Sequence, residues 1–231
     1  MTKFLIPLAW LYNFFLKVRH FLFDKQILPS KKFPVKTLGV GNLAVGGTGK
    51  SVVVEFVLDH FQGTYSLAVL SRGYKRKTKG FVLANASSTA ISIGDEPFQF
   101  YKKYPKVKVA VCERRVLGIK KLMVSQVPPE IIILDDVMQH RWVVVDVLVL
   151  TTTFNNLFLN DHLFPVGSLR DRRQEARRAE IILITKCPKT ITKKEAAEIR
   201  QKIQCLPNQK VYFTTIEYNT IVLSSKDSSS S

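Results

Sequence analysis

LGVGNLAVGGTGKSVVVEF, residues 38–56, is the stretch whose reading decides the fold. Residues 36–41 have strand character, 42–49 form a glycine-rich turn, and 50–60 carry Val53, Val54, Val57 and Leu58 at the spacing of one helix face. Strand, glycine loop and helix in that order are the setting in which the pattern G-x-x-x-x-G-K-[ST] holds phosphate. Gly46, Gly47 and Gly49 keep side chains out of the way, so successive backbone N–H groups can turn inward on an anion, and the positive end of the following helix adds its partial charge. Lys50 is expected to reach the β and γ phosphates and Ser51 to ligate Mg²⁺, with Ala44, Val45 and Thr48 completing the nucleotide-binding stretch. The strict pattern has glycine where this chain has Ala44. A glycine turn of purely structural use is the competing reading.

Further along, residues 131–134 (IIIL) are continuously apolar and end in Asp135 and Asp136. That is the pattern of a parallel strand buried on both faces and delivering carboxylates at its C-terminal edge. Beside a phosphate loop, such carboxylates are candidate Mg²⁺ ligands; standing alone, they would read as a turn or a helix cap. More apolar strands are expected at 66–70, 107–111, 145–150 and 181–184, with helical segments between several of them. The alternation predicts an α/β fold of the P-loop NTPase kind, a mostly parallel sheet with helices on both faces. Thr185-Lys186-Cys187-Pro188 is like the T-K-x-D element that reads guanine, but proline replaces the base-binding aspartate, so ATP is favoured over GTP.

Ahead of the sheet lies FLIPLAWLYNFFLKVRHFLF, residues 4–23, an aromatic-rich stretch broken by Asn13, Lys17, Arg19 and His20. The interruptions argue against a spanning helix, and no small-x-small cleavage site marks a secretory signal. A hydrophobic membrane-associated helix is expected, peripheral or monotopic, with Trp10 and Tyr12 at headgroup depth and Lys17 and Arg19 meeting anionic lipid. A helix buried against the domain is the alternative. Lys plus Arg outnumber Asp plus Glu by 35 to 18, a net charge of +17, which favours a polyanionic partner. Without an RNA-binding motif, nucleic acid is not expected to be that partner. Three scattered cysteines suggest neither a disulfide framework nor a zinc site, and oligomeric state is not legible.

In order along the chain, VGNLAVGGTGKS, LSRGY (70–74), GDEP (94–97), DDVMQHR (135–141), LFPVGSLRD (163–171) and ITKCP follow the hydrophobic N-terminus. With this ordered set the chain resembles the tetraacyldisaccharide 4′-kinases, the lipid A 4′-kinases of Gram-negative bacteria. The resemblance implies transfer of the γ-phosphoryl group of MgATP to the 4′-hydroxyl of an acylated glucosamine disaccharide phosphate lipid. The reaction would take place at the cytoplasmic face of the bacterial inner membrane, on its anionic surface.

The resemblance makes Asp95 the general base, with Glu96 beside it as a second-rank candidate. From the residues alone Asp95 reads first as a helix cap. Arg170 is implied to neutralise charge on the transferring phosphoryl group; otherwise Arg170, Arg172, Arg173, Arg177 and Arg178 read as a solvated face or a lipid-phosphate patch. The family's usual L-R-E-P is Leu169-Arg170-Asp171-Arg172 here, which weakens Asp171 more than Arg170. His140 is a second-rank candidate for contact with substrate or phosphate.

Three regions are expected: a hydrophobic interfacial helix over 1–30, a P-loop kinase domain over 31–209, and a strand-like hinge with a serine-rich tail over 210–231. Members of the family usually continue into a second lobe whose histidine partners the catalytic aspartate. That lobe is expected to be absent here, leaving nucleotide binding stronger than turnover. A different class of function, a membrane-associated P-loop ATPase acting on a protein partner, would share Lys50 and the acidic pair without needing Asp95 to face a lipid hydroxyl.

Overall fold

The computed structural model describes residues 2–215, so the serine-rich tail, with the rest of the stretch from 216 onward, lies outside the described residues. In chain order the elements begin with α1 (Ile6–Asp24), β1 (Lys36–Gly41), α2 (Lys50–Phe61), β2 (Leu67–Ser71) and β3 (Val82–Leu83). Then come α3 (Ala90–Ile93), α4 (Asp95–Lys103), β4 (Lys108–Val111), α5 (Arg115–Met123) and β5 (Ile131–Asp135). The series closes with β6 (Val147–Thr153), β7 (Ile181–Thr185), α6 (Lys193–Ile203) and β8 (Lys210–Phe213).

The eight strands form one sheet in the order β3-β4-β2-β5-β1-β6-β7-β8. Every pairing is parallel except that of β3 with β4. The expected α/β architecture is therefore present, with strands at each of the anticipated apolar runs. Within β5, Ile132 and Leu134 enter one core cluster and Ile133 the other; in β2, Ala68 and Leu70 oppose Val69 in the same way. Such period-two sorting of a wholly apolar strand requires cover on both faces. Val54 and Leu58 of α2 and Phe100 of α4 cover one face, while Ile119 and Leu122 of α5 cover the other.

Two parts of the sheet were not expected in this form. The antiparallel β3 is only two residues long, too short to leave a period in the sequence. Residues 210–213, separated from the kinase domain in the sequence reading, form β8 and pair in parallel with β7, so they extend the same sheet.

α1 lies along the domain. Ala9, Leu16, His20 and Phe23 are buried beneath it, and Phe23 meets Trp142 edge-on with ring centroids 5.0 Å apart. The other face is apolar and open: Leu8, Trp10, Leu11, Phe14 and Phe15 are all exposed, Trp10 by 76%. No described helix is long and apolar enough to cross a membrane. Lys17 faces solvent, but Arg19 does not reach outward toward lipid as expected; its guanidinium donates to the Gln139 carbonyl at 2.6 Å. The charge patterning showed that α1 has polar residues, without showing which of them turn inward.

Close packing at the end of β1 fixes the acidic turn. A Cβ on Gly41 would stand 2.7 Å from the Met138 backbone nitrogen, so only glycine lets the chain after Asp136 lie against this strand. Val137 N–H donates to the Val40 carbonyl at 3.1 Å and closes that contact.

Candidate active site

The glycine loop leaves β1 and enters α2 at the C-terminal edge of the sheet, the edge where open α/β sheets bind ligands. Gly46 and Gly49 take φ of 117° and 83°, a region that favours glycine. No atom lies within 4 Å of a Cβ built on Gly46 or Gly47, so this side of the loop is open to an anion. Ala44 is absent from the positive-φ residues and forms an antiparallel bridge with Leu169, while Val45 N–H donates to the Ser168 carbonyl at 2.8 Å. The position that departs from the strict pattern thus braces the loop on 168–169, where a methyl group fits.

Thr48 anchors the loop to its neighbouring strands. Its hydroxyl is 2.7 Å from that of Thr151, and its carbonyl accepts from the Thr185 hydroxyl at 2.9 Å. Beside it opens a cavity of about 310 Å³, lined by 43–48 together with Thr152, Asn155, Asn156, Phe158 and Lys186. A second hollow runs over Gly46–Val52 to Tyr74, Glu96 and Lys186. Lys186 therefore borders both, holding a left-handed φ of 56°. In the sequence it was only the second residue of a guanine-like element that lacked its aspartate.

Asp135, the last residue of β5, and Asp136 just after it stand by this loop in different states. Asp135 is buried; one oxygen accepts from the Ser71 hydroxyl at 3.2 Å, and Oδ1 has no partner among the described residues. Burial, with Glu96 and Asp136 nearby, pushes its pKa up to about 6, against the opposing pull of Lys50 and Ser71. The backbone carbonyl of Asp135 accepts from buried Arg115 at 3.0 Å. Asp136 is forked by Arg170, with contacts of 2.8 and 3.0 Å, and lies 3.7 Å from Lys50 Nζ. Burial alone would raise its pKa, but the hydrogen bonds and charge of Arg170, aided by Lys50 and Arg115, hold it below the usual carboxylate range.

The residues suit a Mg²⁺ that arrives with phosphate. Buried Asp135 Oδ1 is an unpaired hard oxygen at the loop and Ser51 stands in the first turn of α2, whereas Asp136, also expected as a ligand, has both oxygens engaged by Arg170. Among the described residues no three His, Cys, Asp or Glu side chains are gathered as a metal cage. Mg²⁺ commonly takes one or two protein oxygens and completes its shell with phosphate and water, so the donor set fits a nucleotide-bound ion better than a free-standing site.

Asp95 and Glu96 open α4. Gly94, not Asp95, is the N-cap residue; its φ is 94° and a Cβ there would meet the Tyr74 carbonyl at 3.0 Å. Asp95 makes no side-chain hydrogen bond or ion pair among the described residues and is exposed, so capping does not explain it. Glu96 accepts a short hydrogen bond from the Ser51 hydroxyl, which brings this second-rank candidate directly to the loop.

Arg170 is tied in place: besides Asp136, its guanidinium donates to Asn42 Oδ1, and its backbone N–H to the Leu43 carbonyl at 2.7 Å. Asp171 is buried against His20, Arg173 donates to the Asp161 carbonyl at 2.9 Å and Arg178 to the Met138 carbonyl at 3.0 Å. The arginine run is thus largely structural and not a solvated face. His140 lines a neighbouring polar cavity of about 420 Å³ with Tyr12, Arg72, Arg115, Asp136 and Arg170. Burial, then Arg115, Arg19 and Arg72, push it down to about 4, so it is neutral at pH 7.

Asn42, Ser71, Arg115 and Lys186 were not anticipated as site residues. Ser71 and Asn42 sat inside motifs already quoted, whereas Arg115 gave no signal, because its role depends on a strand 20 residues away.

A model of the tetraacyldisaccharide-1-P 4′-kinase family, LpxK, matches residues 1–228. The tetraacyldisaccharide 4′-kinase of Flavobacterium psychrophilum is 46% identical over 226 residues, covering 97% of this chain and 66% of the relative. That of Bacteroides fragilis is 43% identical over 220 residues, covering 95% and 58%. The chain therefore spans roughly three fifths to two thirds of the length of these curated relatives. Among solved structures, that of LpxK from Aquifex aeolicus in complex with ATP matches with a TM-score of 0.73 at 37% identity, over 79% of this chain and 58% of that one.

Proposed function

The chain belongs to the tetraacyldisaccharide-1-P 4′-kinase family, and on that premise we propose that it carries the ATP-binding side of a lipid kinase. The substrates would be ATP and the 4′-hydroxyl of a tetraacyldisaccharide 1-phosphate. The observation that carries the reading is the meeting of the loop's Ser51 with Glu96, the neighbour of Asp95: the loop that would bind nucleotide and the turn that would face the acceptor border one hollow.

In this reading the glycine loop cradles the β and γ phosphates and Lys50 leaves Asp136 to meet them. Mg²⁺ held at Ser51 and Asp135 would supply positive charge to the phosphate oxygens. The acceptor hydroxyl attacks the γ-phosphorus as its proton passes to the Asp95 carboxylate, and the bond to the β-phosphate oxygen breaks to release ADP. Arg170 holds charge on the phosphoryl group in transit, its fork kept in line by Asp136 and Asn42. Neutral His140 and Arg72 border the polar cavity beside Asp136, a site of suitable polarity for sugar hydroxyls.

Transfer of labelled γ-phosphate from ATP to the disaccharide in detergent tests the proposal. Asp95→Asn is expected to slow it about a hundredfold while nucleotide affinity holds, because only proton removal is lost. Turnover equal to that of the parent would remove Asp95 from the mechanism.

A second part of the proposal concerns location. The open apolar face of α1 supports a helix lying in the interface of the cytoplasmic leaflet, with the chain's +17 charge drawn to anionic lipid. Between α1 and 161–174 lies a cleft of about 590 Å³, lined by Ile6, Trp10, Leu163 and Val166 with Arg172 near, which suits an acylated, phosphorylated ligand. The double variant Trp10→Glu, Phe14→Glu is expected to weaken binding to anionic vesicles by more than about tenfold, since two exposed aromatics lose their burial in lipid. Flotation with vesicles is the measurement, and unchanged flotation would place the contact elsewhere.

A further inference from the structure

The domain-facing side of α1 carries polar residues that all lead to one segment. The Tyr12 hydroxyl donates to the Arg170 carbonyl at 2.7 Å. His20 Nε2 lies 2.6 Å from Asp171 Oδ1, and that carboxylate is wholly buried. The same oxygen accepts from the Arg172 N–H at 2.8 Å. Around the other ring nitrogen of His20, Arg141 stands at 3.0 Å and Glu175 at 3.2 Å.

A second line of hydrogen bonds reaches the Arg170 guanidinium. Arg19 donates to the Gln139 carbonyl at 2.6 Å, Gln139 Nε2 donates to the Asn42 carbonyl at 2.8 Å, and Asn42 Oδ1 accepts from Arg170. One helix therefore touches the arginine's backbone directly and is linked to its head group through Gln139 and Asn42.

Docking a helix does not require such groups. Leu16 and Phe23 already supply apolar contact, and a buried ionic pair is usually matched or bettered in stability by apolar side chains of similar size. What polar contacts add is a defined geometry, and this set defines the geometry at Arg170.

We propose that Tyr12 and His20 are positioning residues for phosphoryl transfer: they fix the Arg170–Asp171 step from α1, so that the seating of this helix on the domain sets where Arg170 points. The proposal rests on the kinase reading, in which Arg170 meets the transferring group. It makes the apolar helix part of the catalytic apparatus as well as a membrane contact.

The test uses the full chain, ATP and the acylated disaccharide phosphate in detergent, with Tyr12→Phe and His20→Gln made singly and again over Arg170→Ala. Each single variant is expected to lower kcat about tenfold and to leave KM for ATP within about twofold, because a buried hydrogen bond that orients a charged group is lost while the nucleotide contacts remain. Over Arg170→Ala, neither is expected to lower kcat by more than about twofold further, since residues acting through one group do not add. Parental kcat in both variants, or equal losses with and without Arg170, would overturn the proposal. If the parent chain transfers no phosphate, the kinase reading fails and the grip is read instead by amide hydrogen exchange over 169–172. Exchange about tenfold faster in both variants upholds the grip of α1 on this segment while the catalytic part falls with the kinase reading, and unchanged exchange overturns the grip as well.

Discussion

Replacing Lys50 by alanine is expected to lower phosphoryl transfer about a thousandfold, the largest loss of any single change at the loop. The ammonium group stands 3.7 Å from Asp136 Oδ1 on the first residue of α2, largely shielded from solvent. That partial burial lets its charge act in a medium of reduced dielectric. Its removal does not strand Asp136, because Arg170 keeps both of that carboxylate's oxygens occupied. The fold is therefore expected to survive, and the deficit to lie mainly in kcat. Steady-state transfer assays alongside thermal unfolding separate the two; a variant that is active yet unstable would contradict the assignment. Lys50→Arg is a poor rescue, since a planar fork does not occupy the place of a compact ammonium.

Asp135→Asn is expected to act in opposite directions on activity and on stability. Phosphoryl transfer falls about a thousandfold, because an amide oxygen is a weak substitute for a carboxylate toward Mg²⁺ and the developing charge loses its counterweight. The metal-free protein, however, becomes more stable at neutral pH. Burial, then Glu96 and Asp136, raise the carboxyl from an ordinary value of 3.8 to about 6, so the native state favours the protonated form. The associated stability is fully present below about 3.8 and is lost as pH rises through about 6. Asparagine stays neutral and avoids that loss, giving a gain of roughly 1–3 kcal/mol at pH 7.5 that shrinks toward zero near pH 4. Denaturant unfolding at the two pH values without magnesium checks this. A parent at least as stable as the variant at pH 7.5 would show that Asp135 is not a strained charge.

The contrast between these two residues explains what could be read from the chain. Lys50, Asp135 and the glycines announce themselves because their chemistry is local: a loop between strand and helix, or carboxylates at the end of an apolar run. The five-residue apolar strands were equally plain, since a parallel strand buried on both faces has no polar alternation to confuse it. Pairings across the fold had no such signature. Arg170 was identifiable through resemblance, but its grip on Asp136 spans 34 residues and its bond to Asn42 spans 128. Arg19 was misassigned to lipid because a helical period separates faces without saying which polar residue finds a carbonyl to bind. Arg115, buried and donating to Asp135, lies in an ordinary amphipathic helix and carries no motif at all.

In the proposed kinase the bond from Ser51 to Glu96 would have a kinetic meaning. A serine oxygen that donates its proton to a carboxylate still has lone pairs for a cation, and binding a cation makes the hydroxyl a stronger donor. Loading the loop would therefore draw the first turn of α4 tighter, and Asp95 is the residue that begins that turn. In the proposed kinase, nucleotide would arrive first and ready Asp95, and the acceptor would arrive second. In steady-state patterns this is compulsory-order addition, with ADP competing against ATP and not against lipid.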